Sequence, residues 1–389
     1  MKKSMLSIIG LTALMTLTGC DAEAVAKASS AIVLPAEEIL LSAGGKAMLV
    51  GEKYSVGSLV TPLLASSAEL VYESSDSSVA TVDKKGVVSA KKQGHATIKV
   101  SSKDNPEVSA EMKLYVFKEQ KPAKIKTRLK DLATYQEEHV EAPRKLKTHE
   151  VETRYLYRNN KLYHSMTEYA DFILSKDDAY FYIGGRDTET KYYDSPEFRS
   201  YFGYHFYTDA DYHSFLYHEN DNVHNWCYVP TEFYLGTEAT RCDVIYAMMG
   251  SFFISGSDLA EDTVTDSLCN DLLTDYAPYC KSGGFGNDGI NEVYAAYSGG
   301  GGGTASATME QNLDIPAGTK YSEKDIFSAY WYKGNVKYYN LHFVLTYTID
   351  GDNYSLDINR EYTYERDDEF SFELPDRTKY TEVRDVFDL

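Results

Sequence analysis

The sequence predicts a small all-β sandwich followed by an α+β domain with a large curved antiparallel sheet. Three observations predict it. First, charge and tyrosine divide the chain: residues 21–118 carry 11 Lys against 12 Asp or Glu and three of the 34 tyrosines, whereas residues 119–389 carry 26 Lys or Arg against 47 Asp or Glu and the other 31 tyrosines. Second, short alternating runs bounded by turn residues fill the first part. Third, longer alternating runs fill the second part, interrupted by stretches of helical period. The 389 residues suffice for two or three domains with cores of their own.

The chain opens with Lys2 and Lys3 and an uncharged run from Met5 to Leu17. A basic start and an apolar stretch too short to span a bilayer read as an export signal. The run ends in Leu17-Thr18-Gly19-Cys20, which resembles the lipobox of bacterial lipoproteins. That resemblance implies removal of residues 1–19, a lipid on the Cys20 sulfur, and a protein anchored to a bacterial membrane, facing the periplasm or the exterior. The alternative is a secreted protein in which Cys20 is incidental. Residues 20–31 are small and polar and suit a tether.

Lipidation of Cys20 leaves Cys227, Cys242, Cys269 and Cys280. An even number in an oxidising compartment favours two disulfides, and three connectivities are open, with local pairing (Cys227 to Cys242, Cys269 to Cys280) favoured. The lack of a C-x-x-C spacing argues against zinc.

Residues 32–118 contain the sandwich. In "GHATIKV" (94–100), Ala96, Ile98 and Val100 fall on one face, and His95, Thr97 and Lys99 on the other. "SSVATVD", "KKG" and "VVSA" read as strand, turn and strand, with Gly86 free to take positive φ. Together "VYESSDSSVATVDKKGVVSAKKQGHATIKVSS" resembles the bacterial Ig-like domain, group 2. The resemblance implies a sandwich with no catalytic site, often a spacer in surface proteins. His95 is expected to be a solvated surface residue.

Residues 119–150 are expected to be a linker with a short helix, since Ile125, Leu129, Leu132 and Tyr135 recur at helical spacing after Pro122. The Tyr-rich acidic domain takes residues 151–389. Hairpins are expected around Asn159-Asn160, at 176–178 and at Asp350-Gly351, where left-handed geometry is tolerated. Residues 237–275 read as two helices, and the glycines of 298–304 as a flexible connection. The order of "YRNNKLYHS", "TYTIDGDNYSLDINREYTY" and "FELPDRTKYTEV" resembles the LolA-like half-barrel lipoprotein carriers. That resemblance implies a curved sheet around an apolar cavity.

Candidate sites are few. His205, His213, His218 and His224 lie among Asp209, Asp211, Glu219 and Asp221, but their spacing fits neither a metal motif nor one strand face. Asp350, Asp352 and Glu361 sit at calcium-loop positions, but Tyr354 and Ser355 replace the ligand and glycine such a loop needs. No nucleophile motif and no phosphate loop occurs. Hence no metal, cofactor or catalysis is expected. The acidic balance argues against nucleic acid.

The aromatic stretch "SAYWYKGNVKYY", with Tyr330, Trp331, Tyr332, Tyr338 and Tyr339, is the expected binding surface. The resulting expectation is a non-enzymatic binding protein that holds an apolar ligand in a half-barrel, or a partner or glycan on its tyrosines. The alternatives are an envelope enzyme acting on glycans or peptidoglycan, or a purely structural surface protein. If Cys20 carries the anchor, Cys20→Ala releases the protein from the membrane fraction into the soluble fraction, read by immunoblot after fractionation.

Overall fold

The computed structural model describes residues 35–61, 69–141, 143–191, 197–198, 202–220, 222–229, 240–241, 272–286, 291–366 and 369–384. Strands dominate, with two α-helices among the described residues, so α+β is only a loose description. Residues 237–275, read as helical from sequence, lie almost wholly outside the described residues.

The N-terminal sandwich has nine strands: β1 (Glu38–Leu41), β2 (Gly45–Leu49), β3 (Lys53–Ser55), β4 (Ser58–Thr61), β5 (Leu70–Ser74), β6 (Ala80–Val82), β7 (Val87–Ala90), β8 (Gly94–Ser102) and β9 (Ser109–Phe117). One sheet runs β2-β9-β8-β5, another β3-β7-β6, and β1 pairs with β4. Alternation sets the core: Ala96, Ile98 and Val100 are buried with Met112, Leu114 and Val88. Gly86 takes φ 77° in the turn between β6 and β7.

A helix, α1 (Pro122–His139), follows. Pro122 suits its first turn, where a missing N–H costs nothing. Ile125, Leu129 and Leu132, spaced by four and three, are fully buried against Val293, Ala295, Ala329 and Trp331 of the large sheet. The segment between the domains is therefore part of a core.

The large sheet contains β10 (Lys145–Arg158), β11 (Lys161–Ser175), β12 (Tyr180–Lys191), β13 (Glu197–Phe198), β14 (Phe202–Thr208), β15 (Ser214–Asn220), β16 (His224–Val229), β17 (Cys280–Phe285), β18 (Glu292–Thr304), β19 (Lys320–Tyr332), β20 (Asn335–Ile349), β21 (Asp352–Arg366) and β22 (Thr381–Glu382). Its order is β17-β18-β19-β20-β21-β10-β11-β12-β14-β15-β16-β22, with β13 beside β12. Every pairing is antiparallel except β16 with β22. The hairpin turns fall where sequence chemistry puts them. Asn159 and Asn160 take φ 50° and 62°, and Asp350 and Gly351 take 51° and 89°, as two-residue hairpins require.

The glycines of 298–304 are not a loose connection. They form the second half of β18 and pair with β19 from Ser298↔Ile326 to Thr304↔Lys320. A glycine keeps both backbone hydrogen-bonding groups, so a long partner strand can hold it in the ladder despite its low strand preference.

Period-two alternation gives the sheet two distinct faces. Tyr294, Tyr330 and Tyr338 meet Ala47, Leu49 and Phe117 of the sandwich on one face. Trp331, Tyr339 and Tyr364 meet α1 on the other. A short helix, α2 (Ala307–Leu313), lies against the far end of that second face, where Leu313 and Met309 pack near Leu345 and Ile358.

The close approach of the two domains depends on Gly284 in β17. A Cβ there would stand 2.6 Å from Phe117 Cβ and 2.8 Å from the Lys118 carbonyl oxygen. Gly284→Val is expected to push β9 off the sheet, lowering the melting temperature and opening residues 117–122 to limited proteolysis.

Candidate functional site

The sandwich is fixed to the sheet by charge as well as by apolar packing. Lys46 Nζ lies 2.5 Å from Glu361 Oε1, and the Glu361 side chain is almost fully buried. The ammonium also sits over the Tyr54 ring at 4.7 Å and the Tyr338 ring at 5.5 Å. Burial pulls the Lys46 pKa down, but the Glu361 carboxylate outweighs it and holds the pKa above its ordinary value. Lys113 pairs with Glu365 at 2.9 Å, and Arg186 with Glu38 at 3.2 Å. Phe117 stacks on Tyr294 at 5.7 Å, and Tyr115 meets Tyr330 at 4.4 Å. Burial pushes the Tyr294 hydroxyl up to about 12, so it stays protonated.

His95 is not a purely solvated residue. Its Nε2 lies 2.7 Å from Glu292 Oε1, and its ring meets Tyr115 edge-on at 5.4 Å. Strand alternation correctly turns His95 away from the sandwich core, but the outer surface it reaches is the one that faces β18.

The five aromatics expected to form a binding surface are placed differently. Tyr330, Trp331, Tyr338 and Tyr339 are buried, two on each face of the sheet, and only Tyr332 is exposed, at 37%. Both faces are covered there, one by the sandwich and the other by α1, so these rings are core. Cys227 and Cys280 are buried, and Cys280 Sγ donates to the Ser282 carbonyl oxygen at 3.4 Å. Cys20, Cys242 and Cys269 lie outside the described residues.

Among the imidazoles and carboxylates of 205–224, the structure brings Asp209, Asp211 and His213 within 4.8 Å of one another. Asp209 Oδ1 already accepts from the amides of Asp211 and His213, at 2.9 and 2.8 Å, so the cluster is a turn. His205 and His224 both approach Glu219, at 3.4 and 3.6 Å.

The open polar site lies at the hairpin end of the sheet. A groove of about 580 Å³ is lined by Tyr321, Tyr347 and Tyr354 together with serine, threonine, asparagine and one lysine. Ser322, Thr346 and Ser355 are cross-strand neighbours, as are Thr348 and Asn353. Ser322 Oγ and Thr346 Oγ1 are 2.7 Å apart, and Thr348 Oγ1 donates to Asn353 Oδ1 at 3.1 Å. Tyr321, Tyr347 and Tyr354 form the alternate row, turned to the α2 face, where Tyr347 is buried with Leu345 and Leu356 and stacks on Tyr354 at 5.4 Å, 6° from parallel.

Two hairpin turns brace the rim. The Asn353 amide donates to Asn159 Oδ1 at 3.0 Å, and Asn159 Nδ2 to Asp352 Oδ1 at 2.8 Å. Arg158 Nε donates to Asp352 Oδ2 at 2.8 Å. These bonds from Asn159 and Arg158 hold the Asp352 carboxyl below the usual carboxylate range. The groove was missed in the sequence because its residues come from three strands and a turn. The available signal was the run of Tyr, Ser and Asn flanking Asp350-Gly351.

Comparison with known proteins identifies the first domain. Residues 36–112 match the family described as "Bacterial Ig-like domain (group 2)". This segment is a bacterial Ig-like domain of group 2. A 70-residue stretch is 37% identical to a segment of the kappa-carrageenase of Pseudoalteromonas carrageenovora, covering 18% of each protein, so the chain spans less than a fifth of that relative. Among solved structures, a Bacterial Ig-like Domain Containing GH10 Xylanase from Termite Gut matches at 22% identity over 22% of this chain and 23% of that one, TM-score 0.16. The extracellular cadherin domains 1–4 of protocadherin gamma B7 match at 6% identity over 42% and 48%, TM-score 0.18. Scores this low carry no argument for the larger domain.

The hydrogen bond to Glu292 raises the His95 pKa. A raised folded pKa contributes stability that is complete below the ordinary histidine value and lost as pH rises through the folded one. Docking of the Ig-like domain is therefore expected to be tighter at pH 6 than at pH 8, by less than about 1 kcal/mol because His95 is half-exposed. The difference in melting temperature between the wild type and His95→Gln, followed across that range, checks it.

Proposed function

We propose that this protein is an exported, membrane-anchored glycan-binding protein. It recognises sugars without catalysis through the groove at the hairpin end of its sheet. The observation that carries this reading is the groove's outward-facing set of hydroxyl and amide side chains, Ser322, Thr346, Thr348, Asn353 and Ser355, with no aliphatic residue in its lining. Hydroxyls and amides match the mixed donors and acceptors of a sugar. An apolar cargo would need the opposite composition. The lipobox-like start of the chain and the Ig-like domain support display outside the cytoplasm. The match of that domain to a segment of a kappa-carrageenase agrees with a glycan-related setting.

An enzymatic reading has one observation in its favour. Glu150 and Glu152 lie two residues apart on β10. Burial raises the pKa of Glu150, while Arg154 and Arg360 both bridge to Glu152. Carboxyl groups in contrasting environments are what acid–base chemistry at a glycosidic bond uses.

One panel separates the readings. Soluble protein beginning at residue 21 is tested by glycan array and calorimetry, with product analysis by mass spectrometry. Binding without turnover, weakened about fivefold by Thr346→Val, supports the proposal; one hydrogen bond contributes about 1 kcal/mol. Turnover lost in Glu150→Gln would establish the enzyme instead. Absence of any glycan binding, or stoichiometric lipid in organic extracts, would overturn the glycan reading.

A further inference from the structure

The outward row of the groove does not end at the groove's rim. Strand alternation carries it along β20 and β21 towards the Ig-like domain. Beyond Thr346↔Ser355 come Val344↔Asp357, His342↔Asn359 and Asn340↔Glu361. On β10 the same face carries Tyr157, Tyr155 and Thr153, opposite Ser355, Asp357 and Asn359. At Glu361 the Ig-like domain takes over, with Lys46 on the carboxylate. At about 3.3 Å per residue, the row from Asn353 to Asn359 is roughly 20 Å long.

This row differs from an ordinary solvated face, which is built largely from Lys, Arg, Glu and Asp. The protein has 59 Asp or Glu and 39 Lys or Arg. Yet the outward positions from Asn340 to Thr348 and from Asn353 to Asn359 hold no Lys or Arg and a single carboxylate, Asp357. Their short side chains are fixed to one another. His342 Nε2 and Asp357 Oδ1 are 2.8 Å apart, and Asn340 Nδ2 donates to Asn359 Oδ1 at 2.7 Å. The Ser322–Thr346 and Thr348–Asn353 bonds extend the series into the groove. The His342 and Asp357 side chains are still 30% and 34% exposed. Burial raises the Tyr155 pKa, and Tyr157 and Asp357 add to it, so the Tyr155 hydroxyl stays a donor beside Asp357. Groups already held in place lose little freedom when a ligand binds.

We propose that the groove is one end of an extended site and that its glycan is a linear polysaccharide, held along β20 and β21 from the hairpin turns to the Ig-like domain. This rests on the glycan reading of the groove and names the class of glycan. A disaccharide in the groove leaves His342, Asp357 and Thr153 untouched. A longer chain brings its repeating hydroxyls along the whole row. His342 Nδ1 and Asp357 Oδ2 are left for it by their mutual bond. Val344, the one aliphatic side chain among these outward positions, gives a sugar ring an apolar patch. The Ig-like domain closes the far end.

The test is a glycan array printed with ladders of xylan, cellulose, agarose and carrageenan, each from disaccharide to octasaccharide. Calorimetry of the soluble chain from residue 21 follows with the ladder that gives signal. Affinity is expected to rise at least about tenfold from disaccharide to octasaccharide, as two further hydrogen bonds would supply. Longer chains also gain from the number of registers open to them, so the deciding measurement uses variants. Thr153→Val and Tyr155→Phe each remove one hydroxyl from the far half of the row and keep the packing. Each is expected to weaken octasaccharide binding about fivefold and leave disaccharide binding unchanged, which also shows that the groove is still folded. Thr346→Val is expected to weaken both. Equal binding of disaccharide and octasaccharide, or octasaccharide binding untouched by the Thr153 and Tyr155 changes combined, would overturn the extended site and leave the groove reading standing. No signal from any ladder would overturn both.

Discussion

The pairing of β10 with β21 holds the larger domain together. These strands are the first and last long strands of the domain, and they meet from Leu146↔Arg366 to Arg158↔Tyr354. Without this ladder the sheet would be two separate sets of hairpins, β10 to β16 and β17 to β21. Closing so long a loop costs conformational entropy, but that cost grows only slowly with length. A ladder of this extent, with apolar rows on one side and the Ig-like domain on the other, offsets it. Glu361 and Glu365, which receive Lys46 and Lys113, both lie on β21 opposite β10. The central ladder thus also positions the domain contact.

That dependence changes how the Ig-like domain is understood. A spacer would leave its outer strands in water. Here β9 supplies Phe117 to a shared core with Tyr294, Tyr330 and Tyr338, and β2 and β8 supply Lys46 and His95 to ion pairs with Glu361 and Glu292. The domain acts as a lid on one face of the sheet. Removing two charges from water is costly, so the buried Lys46–Glu361 pair adds more to alignment than to net stability. A wrong docking angle would leave Glu361 buried without its cation.

Local chemistry in the sequence was a good guide, and long-range coverage was not. The turns at Asn159-Asn160 and Asp350-Gly351 were legible because two residues with tolerance for positive φ suffice to specify them. The buried stripe of α1 was legible from its spacing. The alternation around Tyr330 and Tyr338 was visible too, but alternation shows only that a strand has two faces. It does not show whether water, a helix or another domain covers each one. For that reason the aromatic stretch looked like a surface and proved to be core. The groove was illegible for a related reason: Ser322, Thr346 and Ser355 become neighbours only once the register of three strands is set.

The glycine half of β18 bears on how such a molecule behaves in a crowd. Among the described residues β17 ends opposite Tyr297, so Ser298–Thr304 pairs with β19 alone and presents its other side outward. Exposed strand edges invite other chains to add on. An intruding strand gains from backbone bonds, but it gains further from side chains that interdigitate. Five successive glycines offer none. Crowding of copies would bring many such edges into contact, and this composition discourages them from sticking together.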